Sequence, residues 1–92
     1  MAQVVVTLKI MPENPEVDLD KVQAEALEKI KAFAGPGDTK TEQIPMAFGL
    51  KSLQIIFIMD EAQGSTEPLE EDLSKIKGVN SVEVTDVRRA VG

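Results

Sequence analysis

The chain has 92 residues, 42% of them hydrophobic and 28% charged, with a formal net charge of −6. That length supports one domain, residues 1–92, built on one core. The acidic balance and only three aromatics, all Phe, argue against direct contact with nucleic acid, and the lack of any Cys or His excludes disulfides, thiol nucleophiles, imidazole or thiolate metal sites and His-based triads.

The opening Met-Ala-Gln-Val-Val-Val has no basic segment and no long apolar run, so it does not read as a signal peptide. The longest apolar run, at 55–59, is far below the roughly 20 residues that span a bilayer. Absence of Cys suits the cytoplasm. The expectation is a cytoplasmic protein without membrane contact.

Residues 4–10 alternate: Val4, Val6, Leu8 and Ile10 share one side, Val5, Thr7 and Lys9 the other. That is a strand with one buried face. Two prolines, Pro12 and Pro15, end it. Asp18 or Asp20 then caps a helix, with Gln23 at the capping-box position of Asp20. Leu19, Val22, Ala26, Ile30 and Phe33 form its apolar stripe, which Leu27 and Ala34 widen. Glu25 and Lys29 are spaced for a weak ion pair on the outer side. Gly35-Pro36-Gly37 supplies a left-handed stop and a breaker.

Residues 39–48 make a weaker strand, with Ile44, Met46 and Phe48 on one parity. Pro45 among them argues for a sheet edge. Gly49 reaches positive φ without cost, so the turn belongs there. The strand over 53–59 is stronger and apolar on both sides, as a central strand should be. A second helix opens near Thr66-Glu67-Pro68, where proline fits the first turn. Its stripe is Leu69, Leu73 and Ile76, and Gly78 closes it. Glu67, Glu70, Glu71 and Asp72 crowd its start, with Lys75 and Lys77 at its end. A last strand over 79–87 turns Val82 and Val84 inward, and a basic tail from Arg88 and Arg89 follows.

The order β-α-β-β-α-β predicts an α+β, ferredoxin-like fold. Two right-handed crossovers would form a four-stranded antiparallel sheet with two helices on one face. The other face would carry Val5, Thr7, Lys9, Gln54, Ile56 and Ile58, apolar enough for partial cover or a contact surface.

Three constellations bear on chemistry. The carboxylates Asp60, Glu61, Glu67, Glu70, Glu71 and Asp72 could hold Mg²⁺ or Ca²⁺, but they also read as a solvated, dipole-favoured helix start. The glycine-containing stretches lack any phosphate-loop spacing. The third is Phe48-Gly49 with the terminal Arg88-Arg89. A Phe beside a turn is either an anchor for a partner or a residue folded back onto the core, and composition favours the core. Arg88-Arg89 reads as a mobile solubilising tail, or as planar cations suited to carboxylate or phosphate.

The run Ile44-Pro45-Met46-Ala47-Phe48-Gly49-Leu50-Lys51-Ser52-Leu53-Gln54 resembles the signature of the translation elongation factor 1-beta family. Val4, Thr7, Leu8, Lys9 and Met11-Pro12-Glu13 resemble that family's first strand. Gly64-Ser65-Thr66 through Leu69-Glu70-Glu71 resembles its second helix start, and 79–89 its archaeal ending. The resemblance runs along almost the whole chain and matches the catalytic domain of the eukaryotic relatives. It implies a guanine nucleotide exchange factor for elongation factor 1-alpha, not an enzyme in the covalent sense, with no cofactor or metal and monomeric when free. It also implies a partner-binding set of Met46, Phe48, Gly49, Lys51, Arg88 and Arg89. In eukaryotic relatives a Phe at the position of Phe48 enters a pocket of the partner. A Lys near their C-terminus perturbs the Mg²⁺ and phosphate site. That Lys aligns with Arg89, so here a planar guanidinium replaces an ammonium, with three residues after it.

Outside the resemblance, the same architecture would suit a small regulatory or oligomerising module using Val5, Ile56 and Ile58. An acylphosphatase-like enzyme fits poorly: its phosphate loop with Arg has no counterpart at 11–15.

Overall fold

A computed structural model describes residues 2–35 and 37–89. The breaker Pro36 and the last three residues of the chain lie outside them. The elements are β1 (Gln3–Pro12), α1 (Leu19–Ala34), β2 (Thr39–Pro45), β3 (Lys51–Asp60), α2 (Glu67–Ser74) and β4 (Val79–Arg89). The four strands form one sheet in the order β2-β3-β1-β4, every neighbouring pair antiparallel. This is the expected α+β, ferredoxin-like arrangement of four strands and two helices.

Strand alternation sets the core. Val6, Leu8 and Ile10 of β1 pair with Phe57, Ile55 and Leu53 of β3, and all six are at most 1% exposed. Leu19, Val22, Ala26 and Ile30 of α1, with Leu69 and Leu73 of α2, cover that face. Burying these side chains, at about 25 cal/mol per Å² of apolar surface, is the main force holding helices to sheet. The opposite face keeps Val5, Thr7, Ile56 and Ile58 half-buried.

Local details settle one open choice and depart from expectation in two places. Asp18, not Asp20, caps α1: its Oδ1 accepts the backbone N–H of Asp20 at 3.0 Å and of Lys21 at 3.4 Å. Asp20 instead accepts the Gln43 side-chain amide at 3.0 Å, tying the first turn of α1 to edge strand β2. Glu25 and Lys29 form no ion pair; the two present among the described residues both involve arginines of β4. The α2 helix ends at Ser74 with Lys75 as its C-cap, so Lys77 lies beyond the helix.

Gly78 is required where it stands. Its φ is 94°, and a Cβ there would meet Val17 Cγ1 at 2.8 Å. Its carbonyl accepts the Glu13 N–H at 2.9 Å, so the exit of β1 and the entry of β4 are clamped together.

β4 is longer than the sequence pattern indicates. It reaches Arg89, which pairs with Val4, while Arg88 pairs with Val5. Arg88 and Arg89 are therefore strand residues, not a tail. The register shifts between Thr7 and Leu8, where Thr7 faces Asp86 but Leu8 faces Val84. Thr85 is the extra residue of a bulge. Val82 and Val84 lean on the core as expected. Beyond the bulge, parity inverts, so Arg89 shares the helix side with Val4 and Arg88 the open side with Val5.

Candidate functional site

The hairpin joining β2 to β3 closes on the pair Pro45–Lys51. Proline is tolerated there because β2 is a sheet edge, where its missing N–H breaks no ladder. β2 stops at Pro45, three residues before the strand expected from pattern. Met46 N–H donates to Leu50 O at 2.7 Å, and Leu50 N–H donates to Ala47 O at 3.3 Å.

Phe48 and Gly49, the central residues of this turn, both have positive φ, 63° and 75°. Two consecutive positive φ angles match the right-handed twist of a hairpin, as in type I′ turns. Such turns favour Asn-Gly; here Phe occupies the first central position. Phe48, with ψ 29°, is the one non-glycine residue at positive φ among those described. A left-handed conformation costs a residue with a Cβ about 1–2 kcal/mol.

No burial offsets that cost. The Phe48 residue is 94% exposed, against 1% for Phe57. Composition pointed Phe48 into the core, and the structure overturns that reading. The turn holds the side chain at the end of the sheet, where neither helix reaches it. Met46 is 38% exposed beside it, and Ala47, Gly49 and Lys51 are exposed too. Gly49 and Lys51 also line a cleft of about 230 Å³, with Pro12, Asn14, Asp18 and Asp20 opposite.

Arg88 and Arg89 lie at the other corner. The hairpin sits where β1 ends, whereas Arg89 pairs with Val4 where β1 begins. Val4 to Pro12 spans roughly 26 Å at 3.3 Å per residue. The two groups are also on opposite edges, β2 and β4. The expected residues thus form two diagonal clusters: Met46, Phe48, Gly49 and Lys51 in one, Arg88 and Arg89 in the other.

The arginines are engaged separately. Arg88 Nε contacts Asp86 Oδ2 at 2.8 Å on the open side of the sheet. Arg89 Nη2 contacts Glu61 Oε1, also at 2.8 Å. The Glu61 hydrogen bond, then its charge, pushes the Arg89 guanidinium above its usual pKa. Glu61 is a residue that sequence reasoning placed only in a loop and an acidic run. Its partner is 28 positions away, and no local spacing reveals such a contact. The other acidic residues divide into local duties: Asp60 accepts the Ala62 N–H, and Glu70 accepts the Thr66 hydroxyl. Among the described residues no three are grouped as a metal-ligand set.

A profile of the EF-1 guanine nucleotide exchange domain matches residues 5–90. The chain belongs to this family. Elongation factor 1-beta of Methanothermobacter thermautotrophicus is 46% identical over 89 residues, covering 97% of this chain and 98% of that protein. The Methanobrevibacter smithii protein of the same name is 48% identical, with 97% and 98% covered. That of Staphylothermus marinus is 42% identical at the same coverage. Among solved structures, the de novo designed protein Foldit4 is similar at TM-score 0.64 and 20% identity, covering 98% of each chain. BlrP1 BLUF is similar at TM-score 0.57 and 14% identity, covering 100% of this chain and 57% of that one. These two likenesses concern the fold alone. Within the exchange-domain match lie both corners, the Phe48 hairpin and the end of β4.

Proposed function

We propose that this chain promotes release of GDP from elongation factor 1-alpha during translation elongation, with Phe48 as the anchor. The observation that carries this reading is the Phe48 backbone and exposure together. An aromatic residue held in a left-handed conformation and left 94% in water adds nothing to the stability of the isolated chain. A rigid apolar ring at a hairpin tip has the chemistry of a hot-spot residue filling a partner's pocket.

The mechanism needs no covalent step. A protein that binds the nucleotide-free GTPase more tightly than the GDP-bound form weakens GDP by the same factor. Each 1.4 kcal/mol of that preference is about tenfold. Met46, Gly49 and Lys51 flank the anchor and complete the contact. Arg89, at the far corner, supplies a planar cation whose fork fits phosphate or carboxylate. By analogy with the Lys of eukaryotic relatives, it acts at the phosphate and Mg²⁺ site while Phe48 grips elsewhere. Arg88 adds positive charge beside it. The separation of the two corners suits a large partner touched at two places. The net charge of −6 favours a basic or amide-rich protein surface over nucleic acid. The chain acts as a cytoplasmic monomer without a cofactor of its own.

Stopped-flow release of a fluorescent GDP from elongation factor 1-alpha tests the reading. Acceleration that saturates with added chain is expected. A folded sample that leaves the release rate unchanged would overturn it.

A further inference from the structure

We infer that Glu61 is a positioning residue that holds the Arg89 guanidinium in place for an anionic group of the partner. The inference rests on the exchange-factor reading for its consequence, though not for its geometry.

The two sides of this contact are unequal. Glu61 belongs to a short turn, Glu61–Gln63, which follows β3 directly. The turn is fastened on several sides. Glu61 N–H donates to Ala2 O at 3.0 Å, and Gly64 N–H donates to Glu61 O at 3.2 Å. Asp60 Oδ1 accepts the Ala62 N–H at 2.8 Å. The Gln63 side-chain amide donates to Phe33 O, which links the turn to the end of α1. The carboxylate therefore stands on a fixed base.

Arg89 is the movable side. Its side chain is 73% exposed and carries four rotatable torsions. Left alone, such a chain loses rotamer entropy when a partner fixes it. Contact with Glu61 restricts it beforehand. Among the described residues the contact uses Nη2 and leaves Nε and Nη1 unengaged. Those N–H groups can still donate to a phosphate or carboxylate without breaking the pair. The bulge at Thr85 makes this possible, because it turns Arg89 toward the helix side where Glu61 stands.

The test uses the whole chain with Glu61→Gln, which removes the charge and keeps the shape. The maximal rate of fluorescent GDP release should fall about two- to fivefold, the range that coupling of an exposed pair allows. The concentration giving half the maximal effect should change little. On an Arg89→Ala background the same substitution should cost nothing more. An unchanged or faster rate in Glu61→Gln, or a loss that persists without Arg89, overturns the inference. A second readout needs no partner: the steady-state NOE of Arg89 Nε in the isolated protein should drop in Glu61→Gln. Equal values in both proteins would sink the positioning role by themselves. Failure of the unmodified chain to release GDP would instead sink the exchange reading, leaving the NOE to judge Glu61.

Discussion

The two corners of the sheet present opposite kinds of chemistry. At the β2–β3 hairpin, an apolar ring stands in water on a strained backbone. At the end of β4, a charged side chain lies on ordinary strand backbone and is satisfied by an ion pair. The first corner is costly for the isolated chain and the second nearly neutral, since exposed ion pairs contribute little to stability. The difference teaches where specificity and electrostatics divide. A buried aromatic anchor gains from desolvation and is little affected by salt. An exposed guanidinium steers and pairs, and salt screens it over about 10 Å.

Substitutions can pull this contrast apart. Phe48→Ala should have the largest effect, slowing GDP release at least about 30-fold, as loss of a central hot-spot residue does. Its melting temperature should stay within about 3 °C of the parent, because the ring touches no core. A destabilisation of the roughly 3–5 kcal/mol that Phe57→Ala should show would mean the ring is buried in solution, and the contrast would collapse. Next comes Arg89→Ala, with release slowed about tenfold, the value of a lost charged hydrogen bond. That deficit should shrink as salt rises, while the Phe48→Ala deficit should persist. Matching salt dependence for both variants would show that the corners are not distinct in kind. The smallest effect is the most diagnostic of strain. Phe48→Asn puts a residue that tolerates positive φ into the turn, so stability should rise by up to about 1 kcal/mol in denaturant unfolding while exchange is lost. A decrease in stability would argue that the turn carries no strain.

Most of the fold was legible in the sequence. Alternation in 4–10 and 53–59 marks one buried face, and the spacing from Leu19 to Ile30 marks the helix that covers it. Pro45 announced the edge strand, and Gly49 the turn. The exposure of Phe48 was less legible, because a three-aromatic composition draws each ring toward the core. The clue was positional: a hairpin tip lies beyond the reach of the helices. The end of β4 was hidden for a different reason. Thr85 bears no mark of a bulge, such as Gly, and without the bulge the parity of Val82 and Val84 would carry Arg88, not Arg89, to the helix side. The Arg89–Glu61 pair joins two elements distant in the chain, so it emerges only once the sheet is assembled.

The irregularity at Thr85 has one more implication. Were this threonine to join the ladder opposite Thr7, every later side chain of the strand would roll to the reverse surface. Arg88 would then stand above Glu61, and its neighbour would point away. Which of two adjacent, chemically identical cations pairs with Glu61 is thus decided not by the arginines but by one uncharged residue just upstream, acting as a spacer outside the ladder.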